Sequence, residues 1–395
     1  MTEPFVSEVR AELTEHILPF WLGLRDNSHG GYIGLVDFDL IRHPEAVKGC
    51  ILNSRILWTF SEAYRLLGDV ELRSAADHAF SMLRRMTDER NGGVYWSLTA
   101  DGQAADSTKH TYNQAFAVYA LSAYHRAAGN TEALEHAFAL FDVIESHCRD
   151  EGGYLEAFTA DWHPESNEKL SENGIMAERT MNTLLHLLEG YTGLYEASGD
   201  PRVRDCLTAI FNLWEKRIYN PVLRRQEVFF DHNYHSLINL HSFGHDIETS
   251  WLADHTLDVL ADDELTARIR PKLLAMADQT LSAAFTEHGF ANESDRGHVD
   301  ETRVWWIQAE ALLGFLNAWE HTGETRYRDA VLSQWAYIRE HIIDKRPGSE
   351  WFWYVEPDGK PAAKPIVEPW KCPYHNGRMA MEVLRRAEKY GKDFL

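Results

Sequence analysis

Apolar residues recur at three- and four-residue spacing through most of the chain, in stretches long enough for several helical turns. The stretches come in pairs: 51–67 with 75–86, 111–128 with 132–148, 180–197 with 203–218, 246–260 with 264–284, and 303–321 with 326–343. One more helix stands at each end, 5–22 and 376–390, and these two make a sixth pair. A glycine-aromatic signature precedes or follows the pairs: His29-Gly30-Gly31-Tyr32, Asn91-Gly92-Gly93-Val94-Tyr95-Trp96, Glu151-Gly152-Gly153-Tyr154, His288-Gly289-Phe290 and Gly348-Ser349-Glu350-Trp351-Phe352. Counted from Gly30, Gly92, Gly152, Gly289 and Gly348, the intervals are 62, 60, 137 and 59. The long interval is about two periods, so one beat is missing and is expected near Glu227-Val228-Phe229-Phe230. A period of this size decides the fold before any residue is considered singly.

Six hairpins of two helices each predict an all-α fold, a closed (α/α)6 barrel of six inner and six outer helices. An open solenoid would need polar capping repeats. Instead the first helix carries Phe5, Leu13, Ile17, Leu18 and Trp21, and the last carries Met379, Met381 and Val383, so closure is expected. No Pro/Gly/Ser-rich linker, low-complexity run or step in composition divides residues 1–395, which read as one barrel domain.

Composition narrows the function. A hydrophobic fraction of 44% allows a large core, and 13 Trp among 16 Tyr and 18 Phe exceed what packing alone asks for. Indoles in excess suit the C–H faces of sugar rings. Net charge is −22, from 39 basic and 61 acidic side chains, with no basic cluster to follow a phosphate backbone, so nucleic acid is excluded as a partner. Cys50, Cys148, Cys206 and Cys372 stand apart from one another, as in a reducing cytoplasm. No apolar run reaches membrane-spanning length, and Met1-Thr2-Glu3-Pro4 does not open a secretory signal, so a cytoplasmic protein without a membrane partner is expected.

The helix after each signature carries unusual polar residues near its first turn: Asn53 and Arg55; Tyr112 and Asn113; Asn182 and His186; His245 and Glu248; Trp305, Trp306 and Glu310; His375, Asn376 and Arg378. If these are the inner helices, the side chains meet at one barrel mouth, where six helix N-termini favour a developing anion. Each residue also has a plainer reading. Arg55 can pair with a buried carboxylate, and His186, within Leu184-Leu185-His186-Leu187-Leu188, can be a hydrogen-bonded core histidine. Asn182, one turn earlier on the same face, argues against that. Tyr112 can be an ordinary inner-helix aromatic. Trp305 and Trp306 can be core, although adjacent indoles on a helix cannot both face one layer. His245 and Glu248, three residues apart, put a carboxylate on the imidazole's own face, with Trp251 on the adjoining turn. His375 follows Pro373 where an inner helix should begin. Two histidines from separate repeats suggest an acid and a base on opposite sides of a substrate. H-E-x-x-H and C-x-x-C are absent, as are the P-loop and G-x-G-x-x-G, so neither a metal nor a nucleotide is expected.

The segments Asn53-Ser54-Arg55-Ile56-Leu57-Trp58, Thr180-Met181-Asn182, Ser242-Phe243-Gly244-His245-Asp246-Ile247-Glu248, Trp305-Trp306-Ile307-Gln308-Ala309-Glu310 and Trp370-Lys371-Cys372-Pro373-Tyr374-His375-Asn376-Gly377-Arg378 closely resemble those of the cellobiose 2-epimerases. These belong to the N-acylglucosamine 2-epimerase superfamily, whose fold is the (α/α)6 barrel. The resemblance implies reversible, cofactor-free inversion at C2 of the reducing glucose in β-1,4-linked disaccharides: cellobiose to glucosyl-mannose, lactose to epilactose, with mannobiose as a further substrate. It implies ring opening, then proton removal and return through a cis-enediolate. His245 and His375 match the acid-base pair, with His375 assisting ring opening. Arg55 would stabilise the C1 oxygen and Glu248 would orient His245. Tyr112, Asn182, His186, Glu310 and Arg378 would bind the reducing sugar, with Trp305, Trp306, Trp370 and Trp251 as stacking platforms. A monosaccharide 2-epimerase or aldose-ketose isomerase is the nearest alternative and an inverting glycoside hydrolase the distant one. A monomer is expected, and the polar loop 161–178 suits a lid or an idle surface loop equally.

Overall fold

Helix α1 (Thr2–Ala11) continues through wider turns at Glu12–Ile17 and then α-helical Leu18–Leu22 as one rod. After it come α2 (Cys50–Leu67), α3 (Val70–Arg85), α4 (Thr111–Ala128), α5 (Thr131–Val143), α6 (Met181–Ser198) and α7 (Pro201–Leu213). The series ends with α8 (Phe243–Leu260), α9 (Asp263–Ala284), α10 (Trp305–Thr322), α11 (Thr325–Tyr337) and α12 (Tyr374–Tyr390). This computed structural model describes residues 2–391 and 394–395. The even-numbered helices pack side by side in chain order, and α12 returns to α2, closing the ring; each odd-numbered helix lies against an inner neighbour, α1 against α12. The (α/α)6 barrel is therefore realised.

Burial separates the two layers. Every side chain of α2 from Cys50 to Ala63 is buried, because the helix meets neighbours on both flanks, the barrel axis and an outer helix. In α3 only one stripe is buried, Leu72, Ala75, Ala76, Ala79, Phe80, Met82 and Leu83, the signature of a helix with one wet face. That helix starts earlier than its apolar stripe suggests, because Asp69 caps it by accepting from the Glu71 N–H at 2.9 Å.

The glycine signatures are short antiparallel reversals that bring the chain from an outer helix toward the next inner one. Each is opened by a side chain accepting from a backbone N–H two residues on: Asp26, Asp88, Asp150, Asn220, Thr286 and Asp344. A buried cation two or three residues ahead of the inner helix ties four of them down. Lys48 reaches Asp26 at 2.8 Å, Lys109 reaches Asp88 at 3.0 Å, Arg179 reaches Asp150 at 2.6 Å, and Lys371 bonds Glu350. Inner-helix side chains complete the joint: Gln114 accepts from Val94 N–H at 2.7 Å, and Gln308 from Phe290 N–H at 3.0 Å.

The missing beat is the hairpin of Tyr219–Asn220 with Arg225–Gln226, just ahead of the expected Glu227-Val228-Phe229-Phe230. Arg224 takes the left-handed φ of 52° that glycine supplies elsewhere, so the repeat is present without its signature. Phe229–Phe230 pairs instead with Arg179–Thr180. The staple changes too: His241 stands where the cation is expected and bonds Asp246 at 2.9 Å, and Asp246 in turn accepts from Gln226 N–H at 3.1 Å.

Candidate active site

All six inner helices begin at the same end of the barrel, and a cavity of about 620 Å³ opens there. Arg55 of α2, Tyr112 of α4, Asn182 and His186 of α6, His245 and Glu248 of α8, Trp305 and Trp306 of α10, and His375 of α12 face it, with Trp370 from the segment before α12. Ten of the thirteen expected site residues thus converge on one space. Trp251, Glu310 and Arg378 do not line it. They form its floor, because residues one or two turns further along the inner helices point down the axis toward one another.

Arg378 organises that floor. Its guanidinium donates to Glu248 Oε1 at 2.8 Å and Glu310 Oε1 at 2.6 Å, and also to Glu189 and the Tyr374 hydroxyl. It lies 4.8 Å from the Trp251 ring, whose indole N–H donates to Glu310 Oε2 at 2.9 Å. Trp251, expected as a stacking platform, and Arg378, expected to bind the sugar, thus hold charged groups beneath the cavity and do not line it. Glu248, Glu310 and His375 bring one ligand atom each within 4.8 Å of one another, a grouping suited to a cation, and Arg378 is the cation that both carboxylates already bond.

The two histidines are held differently. His375 Nδ1–H donates to Glu310 Oε1 at 2.7 Å, which fixes the tautomer and turns Nε2 away from the carboxylate. Burial, then the charges of Arg55 and Arg378, keep its pKa well below the usual histidine value. His245 pairs through Nδ1 with Ser242 Oγ at 2.7 Å. Burial, with His186 adding to it, pushes its pKa down to about 3. Glu248 was expected to orient His245; it instead bonds Arg378 and lies 3.8 Å from His375 Nδ1, since the buried guanidinium is the stronger partner. Burial, and then Glu310 beside it, raises Glu248 well above the carboxylate range. Trp306 stands between the histidines, with ring centroids 4.9 Å from His245 and 5.4 Å from His375.

Arg55 is buried, yet among the described residues no carboxylate pairs with it. It donates to the Tyr112 hydroxyl at 2.9 Å and lies 4.3 Å from the Phe116 ring. The structure thus overturns the plainer reading of a buried ion pair. His186 is not a sealed core histidine either: Nδ1 bonds Glu189 Oε2 at 2.9 Å while the ring faces the cavity. Asn182 Oδ1 has no partner.

Sequence reasoning missed Ser242, Trp353, Glu293 and the loop residues Lys169, Glu172 and Asn173, all of which line the cavity. The loop 161–178 forms a wall rather than an idle surface. His110 Nε2–H donates to Asn167 Oδ1 at 2.9 Å, Lys169 reaches Asp106 at 2.7 Å, and Asn173 donates to Glu293 at 3.3 Å. Two signals were visible: Ser242 is a helix-capping residue close to His245, and the loop residues lie in the long polar segment that suits a lid.

Among the described residues no helix is long and apolar enough to cross a membrane. The N-acylglucosamine 2-epimerase (GlcNAc 2-epimerase) family profile matches residues 21–377. The chain is 47% identical to a cellobiose 2-epimerase of Eubacterium cellulosolvens, over 97% of this chain and 99% of that one. It is also 47% identical to a cellobiose 2-epimerase of Ruminococcus albus, over 96% and 98%. The crystal structure of a sugar epimerase from a ruminal bacterium superposes with a TM-score of 0.96 at 46% identity, covering 97% of this chain and 99% of that one.

Proposed function

The chain belongs to the N-acylglucosamine 2-epimerase family and is a carbohydrate epimerase, an isomerase; on that premise we propose that it inverts C2 of the reducing glucose of cellobiose, giving glucosyl-mannose. Lactose and mannobiose are substrates of the same kind. The close relatives named for cellobiose support the disaccharide. The cavity supports it too, extending from the histidine pair to Trp353, Glu293 and Lys169, where a second ring can sit.

The reducing ring first opens, because only the C1 aldehyde makes the C2 hydrogen acidic. His375 Nε2 takes the C1 hydroxyl proton and passes it to the ring oxygen as the bond from C1 to that oxygen breaks, so the imidazole ends neutral. One imidazole then takes the C2 proton at Nε2, and the electron pair of that C–H bond moves into a cis-enediolate with negative charge on the C1 oxygen. The other imidazole, protonated at Nε2 from solvent, gives that proton to C2 on the opposite face, the base releases the proton it took to solvent, and the ring closes on the inverted centre. The base must be neutral when it meets the C2 hydrogen, and burial favours that form in both histidines.

The observation that carries the reading is Arg55. A buried guanidinium with no carboxylate partner costs several kcal/mol, and one that also faces the cavity suits an anion that develops during the reaction. Tyr112, Asn182 and His186 hold sugar hydroxyls beside it. A glycoside hydrolase of the inverting type needs carboxylates about 6.5–9.5 Å apart across the bond. Here Glu248 and Glu310 converge on one guanidinium.

Proton NMR of cellobiose with the protein in heavy water tests the proposal. Glucosyl-mannose carrying deuterium at C2 is the expected product. Unlabelled product would exclude the enediolate, and exchange into free mannose or glucose alone would move the substrate to a monosaccharide. His245→Ala and His375→Ala should each abolish turnover while keeping the helical circular dichroism of the parent; activity near the parent's in either would sink the histidine pair.

A further inference from the structure

Ser242 occupies the cap position immediately ahead of α8, where a serine hydroxyl ordinarily accepts a backbone N–H from the first turn. It makes no such bond. Its Oγ lies 2.7 Å from His245 Nδ1 instead. The backbone behind it is fixed, because Leu240–Ser242 runs antiparallel to Glu293–Asp295 with Ser242 opposite Glu293. His375 has a carboxylate on its Nδ1, whereas His245 has only this hydroxyl.

We propose that Ser242 is a positioning residue for the epimerisation: its oxygen accepts the Nδ1–H of His245, which commits the imidazole to the tautomer whose Nε2 lone pair faces the sugar. The inference rests on the proton-transfer reading above. When His245 takes the C2 proton, the C2–H bond breaks, Nε2–H forms, and the Nδ1–H to Oγ bond is unchanged, so nothing around Ser242 has to move. A neutral partner orients the ring without stabilising imidazolium, as a carboxylate there would. His186 on α6 and Glu310 on α10 act on the charge of His245, and Arg55, Lys169, Glu172, Glu248, Glu293 and His375 line the same cavity. His186 and Glu310 oppose each other in their effect on its charge.

Steady-state kinetics over a range of pH on Ser242→Ala, Ser242→Thr, Ser242→Asp and His245→Ala test this. Ser242→Ala should lower kcat roughly 10- to 100-fold with little change in KM, as loss of a group orienting an active ligand does. Ser242→Thr should recover most of the rate. Ser242→Asp should shift the acid limb of kcat/KM to higher pH, a change that a purely structural role would not produce. Parent-like kcat in Ser242→Ala, or an unmoved limb in Ser242→Asp, overturns the inference. If Ser242→Ala fails to fold, the threonine and aspartate profiles decide it, together with nitrogen NMR of the parent, where His245 must show a protonated Nδ1 and an unprotonated Nε2. Activity retained in His245→Ala would instead bring down the proton-transfer reading itself.

Discussion

At the scale of single residues, the site depends on keeping ionisable groups neutral by burial and on leaving the cavity-facing Arg55 without a carboxylate partner. His245, half-buried in the cavity wall with its pKa pushed down to about 3, and His110, fully buried and down to about 4, are both uncharged. Two outcomes are expected. The acid limb of kcat/KM reports the free enzyme's base, so it should lie well below the ordinary histidine range, with activity held down to about pH 5; a limb at about pH 6.5 would show His245 to be solvated. Stability follows the same groups. Between the unfolded value of 6.5 and the folded values, the unfolded chain binds more protons than the native one, so stability is fully present above the unfolded pKa and falls as pH drops toward 3. Urea midpoints measured from pH 7 to pH 4 should decline steadily.

At the scale of elements, the joints between outer and inner helices set where the site residues point. The reversal at Gly93 leaves no room for a side chain: φ is +76°, and an added Cβ would lie 2.7 Å from Trp162 and 2.9 Å from Gln114 Oε1, the atom that accepts from Val94. Gly129, at the end of α4, has φ +65° but nothing within 4 Å. Gly129→Ala should therefore cost only the backbone strain, about 1 kcal/mol, while Gly93→Ala adds overpacking of about 1–3 kcal/mol. Thermal unfolding of the two variants measures the difference, and equal losses would mean that the joint relaxes freely.

For the molecule as a whole, closure of the ring and assembly of the floor are one event. Arg378 of α12 bonds Glu189 of α6, Glu248 of α8 and Glu310 of α10, so the last helix neutralises acids delivered by three others. Arg378→Ala leaves these carboxylates buried without their cation and should destabilise the fold by about 3–5 kcal/mol. A loss under about 1 kcal/mol in urea unfolding would show that water or protonation replaces it easily. The same closure supplies catalytic geometry, since Glu310 meets His375 only because α10 and α12 are neighbours in the ring.

The sequence by itself determined the helix count, the pairing and the closed barrel, because a helix buried on every side and a helix buried along one stripe leave different apolar patterns. It also placed at the cavity ten of the thirteen residues expected there, since position near the first turn of an inner helix is a local property. The fourth repeat was hidden where Arg224 adopts a glycine conformation, which composition does not register. Only the tertiary structure decided who holds whom. Glu248 was assigned to His245 by spacing along one helix, and the ring gave it to Arg378 across the barrel, leaving Ser242 on His245 and Glu310 on His375. Partners of buried charges are chosen by distance and strength in three dimensions, and spacing within one helix cannot weigh a guanidinium that arrives from another.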